Sequence, residues 1–488
     1  MQQFQISKQQ WLIKLFFAVS LLAAVLVLAI NSGNKHQYKD VVESGVLKII
    51  TRNSPTTYFQ DRDQVSGFEF ELAQKFADYL GVELQVEVAD SLEDLITEVQ
   101  SGNVALAAAG LTVTEERKEF VTFADSYMNV TQQLIYRGDR KRPKSLDVLL
   151  NSTLVVTAHS SHAQSLRRLQ NTSMPQLTWI ERDDAEVGEL VQMVENGEID
   201  FTIVDSNEFN ALSGFYPRVK AAFDVSEPEQ LAWAFAKFSD NSLLAEAREF
   251  FSLMRETGLL AQLQERYYGH LNQFDNVGTL TFLRQADERL DKYKTLFEKS
   301  AEKHELDWRL LASIGYQESH WRALAKSRTG VRGLMMLTLT TAKEVGIKNR
   351  LNAEQSISGG SAYFAKLKKR FKNINEPDRT WLALAAYNVG AGHVRDAQKI
   401  TEAQGADPDR WMDVKERLPL LTKKKYYKNT RYGYARGYEP VNYVQNIRKF
   451  YDLLVWRDQP EPTYDMQGKD SMFTASANYK TIPPLTVN

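Results

Sequence analysis

The spacing of apolar residues changes character once along this chain, and that change limits what the chain can fold into. From Val46 to about Arg137 strands and helices alternate. LKIITR reads as a strand, Gly67-Phe68-Glu69 opens the helix FELAQKFADYLG, VELQVEVA is a second strand and SLEDLITEVQSG a second helix. A second unit of this kind runs from Thr153 to about Asp205. Such alternation predicts a mainly parallel sheet carrying helices. From Leu283 to about Trp456 the pattern is nearly all helix, with apolar stripes and glycine stops. SLLAEAREFFSLMRETGLLAQLQERYYG closes the first half near Tyr268-Gly269-His270, and amphipathic helix resumes at once, so the two halves are expected to touch.

A length of 488 residues calls for at least two globular domains. Lys and Arg total 60 against 62 Asp and Glu, a balance that argues against a nucleic-acid binder. The chain has no cysteine, which excludes disulfides, thiolate metal sites, a cysteine nucleophile and a lipid-bearing cysteine. Residues 1–33 hold Lys8 and Lys14, then an apolar run from Leu15 to Ile30, then Asn31-Ser32-Gly33. This is the pattern of a secretory signal, with a retained inner-membrane anchor through residues 12–30 as the alternative. Either places the rest of the chain outside the cytoplasm.

Within the helical half, DWRLLASIGYQESHWRALAKSRTGVRGLMMLT spans Asp307 to Thr338. Asp307 is an N-cap, and Leu310, Leu311 and Ile314 recur at helical spacing before Gly330 and Gly333 break the pattern. Counting on by three and four lands on Glu318, which places a carboxyl group on the inward stripe. Lost hydration there raises its pKa and keeps it protonated near neutrality, as a general acid must be. The alternative is a helix-end Glu bonded to backbone or to Arg322 or Arg328.

Further motifs follow. Gly330-Val331-Arg332-Gly333 leads into Leu334-Met335-Met336, Trp381-Leu-Ala-Leu-Ala-Ala-Tyr387-Asn388 is a second apolar helix with a polar end, and Tyr443-Val444 lies in EPVNYVQNI. This series resembles the soluble lytic transglycosylase domain, a lysozyme-like fold that cleaves peptidoglycan. The resemblance implies that Glu318 is both acid and base, that Ser319 bonds the helix or the carboxyl group, and that Met335 lines the sugar site. It also implies that Tyr387 and Asn388 orient acid and substrate, with Tyr443 in the last matched motif. Met336 stands where the family commonly has Gln, which removes an amide contact from that position.

No acidic residue lies between Glu318 and Glu344. Glycosidases normally flank the bond with two carboxylates. The lack of a second one a short way downstream favours a one-acid route in which Glu318 protonates the glycosidic oxygen and then takes a proton from the sugar's own 6-hydroxyl. That route closes a 1,6-anhydro ring and consumes no water. The alternatives are a muramidase, with a distant Asp or Glu folded in as second carboxylate, and a non-catalytic ligand- and glycan-binding receptor.

In the first half ITEVQSGNVALAAAG echoes VQMVENGEIDFTIVD, each a helix stopped by Gly before a buried strand. With GFEFELAQKFADYLG and AGLTVTEERKEFVTFADSY, this resembles the bacterial extracellular solute-binding domain of the polar-amino-acid type, two lobes around a ligand cleft. The resemblance implies that Arg117 pairs with a ligand carboxylate, Asp205 takes its ammonium and Thr112 adds a hydroxyl. Tyr58 and Phe68 pack against ligand or core. The pairing of both halves, with Met336, resembles the membrane-bound lytic transglycosylase F subgroup.

The expected organisation is therefore 1–33 signal or anchor, 34–270 a two-lobed α/β solute-binding fold, 271–456 a mainly α lysozyme-like catalytic domain, and 457–488 a tail without fixed structure. Glycan strands are the expected partner, with an amino-acid or muropeptide ligand for the first half. The resemblance places the chain peripherally on the periplasmic face of the outer membrane. No cofactor and no metal are expected, since His159 and His162 lie three apart with no third ligand nearby and more simply cap or line a loop. LPLLTKKKYYKNTRYGYARGYEPVNY interleaves cations and tyrosines with hardly any acid, a composition suited to anionic polymer and to sugar rings.

Overall fold

The computed structural model describes residues 37–458 apart from 55, 62–63, 238–239, 270–275 and 328–329. The apolar run in residues 1–33 and the tail beyond Asp458 lie outside the described residues. Among the described residues no helix is long and apolar enough to cross a membrane.

The first lobe is built from β1 (Val46–Thr51), α1 (Phe68–Leu80), β2 (Glu83–Val88), α2 (Leu92–Ser101), β3 (Leu106–Ala107) and β4 (Val121–Phe123). The chain crosses through β5 (Met128–Val130) into a second lobe. That lobe holds β6 (Gln132–Arg137), β7 (Val155–Thr157), α3 (Ser161–Thr172), β8 (Ile180–Arg182), α4 (Val187–Asn196), β9 (Phe201–Asp205), α5 (Ser206–Ser213) and β10 (Val219–Asp224). It returns through β11 (Glu229–Leu231), antiparallel to β5, into β12 (Ala234–Ala236), α6 (Ser242–Glu256) and α7 (Leu259–Tyr268). The two-lobed fold is as expected.

The expectation of mainly parallel sheets needs correction. In the first sheet, order β2-β1-β3-β12-β4, only the β1 pairings with β2 and β3 are parallel, and β12 runs against both its neighbours. In the second lobe β6 is antiparallel to β9 and β10. The cause is the double crossing. Strands that enter a lobe from the hinge run against strands that end there, as the register of Gln132 opposite Asp205 shows.

Local sequence accounts for the elements. Gly81, Gly102 and Gly197 all end helices in the left-handed region, with φ of 72°, 74° and 79°. α1 turns Phe68, Leu72 and Phe76 onto a core shared with Trp233, Phe250 and Phe251. Phe68 is thus core, one of the two roles open to it. Glu69 on the same helix is buried. Its carboxylate accepts from Gly110 N, from Trp233 Nε1 and from the Tyr127 hydroxyl, and burial raises its pKa.

The second half is helical. Its main helices are α8 (Asn276–Arg289), α9 (Lys294–His304), α10 (Trp308–Ser319), α11 (Ala353–Arg370), α12 (Asp378–Val389), α13 (Ala391–Ala403), α14 (Trp411–Arg417) and α15 (Tyr438–Arg457). α10 packs against α9 and α15, and α12 against α11 and α15. Trp321, Trp381 and Trp411 are fully buried among them. Arg457, assigned from sequence to the tail, instead ends α15, where its guanidinium donates to Asp287 at 3.1 Å.

The halves meet. Phe215 of the second lobe lies 5.7 Å from Trp456 of α15, and Gln262 of α7 donates to Asp378 of α12 at 2.9 Å. Arg448 of α15 is buried completely, donates to the carbonyls of Glu265 and Arg266 at 3.1 and 2.7 Å, and covers the Trp381 ring at 4.2 Å.

Candidate active site and ligand cleft

α10 begins where Asp307 accepts from the Arg309 backbone N–H at 2.8 Å. It ends abruptly at Ser319, because His320 and Trp321 both take left-handed backbone, φ 52° and 54°. Two consecutive non-glycine residues there are costly, and local packing offsets the cost. Trp321 is buried and its indole donates to Ala312 O at 2.8 Å. The reversal leaves Glu318 at the helix end, beside the chain that returns through Leu334.

That returning loop is fixed by two glycines. A Cβ at Gly333, φ 88°, would fall 1.7 Å from Arg350 O, and one at Gly360 would fall 2.6 Å from the Met335 Cβ. The Ser319 hydroxyl lies 2.7 Å from Leu334 O and 3.1 Å from Gly315 O, and Met335 N donates to Ser356 Oγ at 3.1 Å. Of the two roles open to Ser319, the structure shows the bond to helix and loop. The expectation that Met335 lines the sugar site is corrected: its side chain is fully buried and packs on Gly315 and Gly360. Its carbonyl is the part that matters, accepting from the Tyr387 hydroxyl at 2.9 Å.

Three helices converge on the acid. Tyr443 of α15 donates its hydroxyl to Glu318 Oε1 at 2.6 Å, and the rings of Tyr443 and Tyr387 stack at 6.5 Å, 13° from parallel. Burial pushes Glu318 up to about 7 from an ordinary 4.5, against the lowering pull of the Tyr443 bond. Among the described residues no second carboxylate contributes to that shift. Glu344, the next acid along the chain, is paired with Lys366 and acts on Tyr363, whose ring meets Tyr387 edge-on at 5.4 Å. Asn388 is exposed where α12 ends.

Tyr443 also gives the acid a direction. With Oε1 occupied as acceptor, Oε2 is the oxygen left to hold a proton if Glu318 acts as an acid. Tyr443→Phe removes the bond that favours the carboxylate, so Glu318 should hold its proton to higher pH. The alkaline limb of kcat/KM, expected near pH 7 in the unaltered chain, should move upward. Activity at pH 6 is expected to fall about 10-fold as the carboxyl loses its orientation. A pH–rate profile of both proteins checks it, and a limb that moves down would contradict the assignment.

In the first half, Thr112, Arg117 and Asp205 line one cavity of ≈ 20 Å³ between the lobes, together with Arg52, His162 and Glu208. Thr114 caps the short helix that carries Arg117, whose buried guanidinium donates to Thr112 O at 3.0 Å and to His159 O at 3.4 Å. Burial lowers Arg117 to about 10, with Asp205 opposing. Asp205, at the end of β9, faces His162 Nε2 at 3.1 Å, so this histidine is an inner wall of the cleft as well as a helix-start residue. A volume of ≈ 20 Å³ has room for about one water, so any larger ligand requires the lobes to part.

Sequence reasoning passed over the clasp that joins the lobes. Arg52, just past β1, donates to Glu208 of α5 at 2.7 Å and lies 3.6 Å from Glu186. Burial opposes the charge on Arg52, but Glu208, Glu186 and Asp205 outweigh it and raise its pKa. The only signal in the sequence was a cation ending the strand LKIITR. Among the described residues no cluster of His, Asp and Glu is arranged to hold a metal ion.

Comparison with known proteins completes the picture. Residues 295–409 match the Transglycosylase SLT domain, and residues 47–270 match Bacterial extracellular solute-binding proteins, family 3. The chain is 48% identical over 445 residues to the membrane-bound lytic murein transglycosylase F of Hahella chejuensis, covering 90% of this chain and 87% of that one. It is 46% identical over 476 residues to the protein of that name from Stutzerimonas stutzeri, covering 96% and 98%. With that from Saccharophagus degradans it shares 49% over 448 residues, covering 92% and 88%. At these identities and lengths, the chain belongs to the membrane-bound lytic murein transglycosylase F family.

Proposed function

We propose that the chain is a peptidoglycan lytic transglycosylase that cleaves the β-1,4 bond between N-acetylmuramic acid and N-acetylglucosamine, with Glu318 as the single acid and base. Glu318 gives its proton to the glycosidic oxygen, and the bond from muramic C1 to that oxygen breaks. The carboxylate so formed takes the proton of the 6-hydroxyl as O6 bonds to C1. The acid is restored, no water enters, and the new end is a 1,6-anhydro ring. What carries this reading is one desolvated carboxyl, poised at about 7 and held by Tyr443, with no second carboxylate acting on it among the described residues. Hydrolysis by the two-carboxylate route would need a second carboxylate near the bond, and among the described residues none acts on Glu318.

Mass spectrometry of the products tests the route. Digestion of purified peptidoglycan by residues 34–488 is expected to release muropeptides about one water lighter than hydrolytic ones. Full-mass reducing ends would instead mean that water is the nucleophile. Around this centre, the half up to about residue 270 serves as a ligand-binding domain for an amino acid or stem peptide. Arg117 takes the carboxylate and Asp205 the ammonium, and opening of the Arg52–Glu208 clasp admits the ligand. The enzyme works outside the cytoplasm at the periplasmic face of the outer membrane, peripherally attached. Family membership and the family name support membrane association; the specific face is our reading.

A further inference from the structure

Between Glu416 and Glu439 the chain has no acidic residue, while basic residues alternate with tyrosines along 423–438. Some exposed cations elsewhere in this half have a carboxylate partner, as Lys299 has Glu354 at 3.6 Å and Lys366 has Glu344. In this strap Arg436 pairs with Glu439 at 3.2 Å. Lys423, Lys424, Lys425, Lys428 and Arg431 are exposed and form no ion pair among the described residues. Tyr432, Tyr434 and Tyr438 expose 47%, 56% and 59% of their surface, unusual for rings of that size.

The strap is a shaped surface. The buried Asp396 of α13 accepts from the backbone N–H groups of Arg431 and Tyr432 at 3.2 and 2.8 Å. Tyr432 lies flat over Gly392, where a Cβ would come within 2.7 Å of the ring, and Ala435 N donates to Leu421 O at 3.2 Å. The strap meets the helices of the site at two places. Gly392 is four residues beyond Asn388, and Tyr438 opens α15 five residues before Tyr443, about 7.5 Å along the helix axis. The strap is therefore continuous with α15, which carries Tyr443, and rests on α13, which directly follows the helix of Tyr387.

We propose that the strap 423–438 recognises the carboxylates of the peptide stems on the glycan strand, so that stem charge, and not the sugar backbone alone, sets how well a strand binds. This rests on the cleavage reading above. N-acetylated sugars are neutral, and the negative charge of peptidoglycan sits mainly on its stems. A neutral saccharide gives five unpaired cations nothing to meet, whereas exposed tyrosines beside them suit the sugar faces. An anionic lipid surface has the same sign of charge, but the strap's continuity with α15, which brings Tyr443 to Glu318, favours the substrate.

The test compares isolated glycan strands with native stems against the same strands after their carboxylates are capped as neutral amides, using the full chain and its Lys424→Gln/Lys425→Gln/Lys428→Gln variant. With native strands the variant is expected to raise KM about 10-fold with kcat retained. With capped strands the two proteins are expected to share one KM, and the triple Lys→Arg variant should behave as the unaltered chain on both. An equal rise in KM on both substrates would overturn the proposal in favour of sugar stacking. Unchanged KM together with lost binding to vesicles containing phosphatidylglycerol would overturn it in favour of a membrane patch. If the unaltered chain releases no product from any strand, the cleavage reading itself falls and this proposal with it.

Discussion

Glu318→Gln is expected to lower turnover of peptidoglycan by at least about 10³-fold, because one side chain performs both proton transfers and the amide can perform neither. The substitution is nearly isosteric. Its carbonyl oxygen still accepts from Tyr443, so the stacked tyrosines and the loop at Leu334 keep their places. The same change should stabilise the fold at alkaline pH. In the folded chain Glu318 titrates near 7, above its ordinary 4.5, so between those values the native state holds more proton than the unfolded state. Stability therefore falls as pH rises through that window, and the loss is complete above it. Gln carries no charge to desolvate, and at pH 8 the variant should be more stable by roughly 1–3 kcal/mol, with a difference that vanishes near pH 4. Denaturant titrations at the two pH values measure this apart from activity. Equal stability at pH 8 would show that Glu318 is well solvated, and the basis for its role as acid would fail.

Much of this site was legible because its signals are local. Asp307 as N-cap and the apolar spacing to Ile314 act within a few residues and place Glu318 on the helix's inward stripe, whereas the helix end, set by left-handed His320 and Trp321 well before Gly330, carried no such signal. The glycine stops at Gly102 and Gly197 are local signals too, and both helices end where the sequence implied. What the sequence could not give is partnership across distance. Tyr443 lies 125 residues from Glu318, and a tyrosine in a helical pattern reads equally as core or as hydrogen-bond donor until the fold brings it to 2.6 Å. Arg52 and Glu208 lie 156 residues apart and in different lobes, so their clasp has no local signature. Met335 failed for another reason. A residue fixed within a motif can serve through its backbone, and the side chain then reports packing against Gly360 and says nothing about substrate. Strand direction failed for a third, since alternation of strand and helix does not reveal that the chain crosses between lobes twice.

The junction between the halves carries the other large expected effect. Arg448→Ala should destabilise the full chain by roughly 3–5 kcal/mol, the range for breaking a buried charged cluster by removing one member. Burial lowers the pKa of Arg448 to about 10, and Glu265 and Asp452 oppose that shift, so the cation is held in place by its surroundings. Without it, the carbonyls of Glu265 and Arg266 lose their donor, the Trp381 face loses its cover, and Asp452 is left buried without the positive charge beside it. Glu265 keeps Lys415 at 2.7 Å, which limits the loss. Arg448→Lys separates charge from shape, for it preserves the cation but cannot lie flat over an indole while reaching two carbonyls. Its cost should fall between those of the parent and the alanine variant. Thermal unfolding of the full chain should shift by roughly 3–6 °C for alanine. A shift within a degree would mean that apolar contacts such as Phe215 on Trp456 hold the halves together unaided. A full shift would mean that α15, which brings Tyr443 to the acid, depends for its own stability on the last helix of the ligand-binding half.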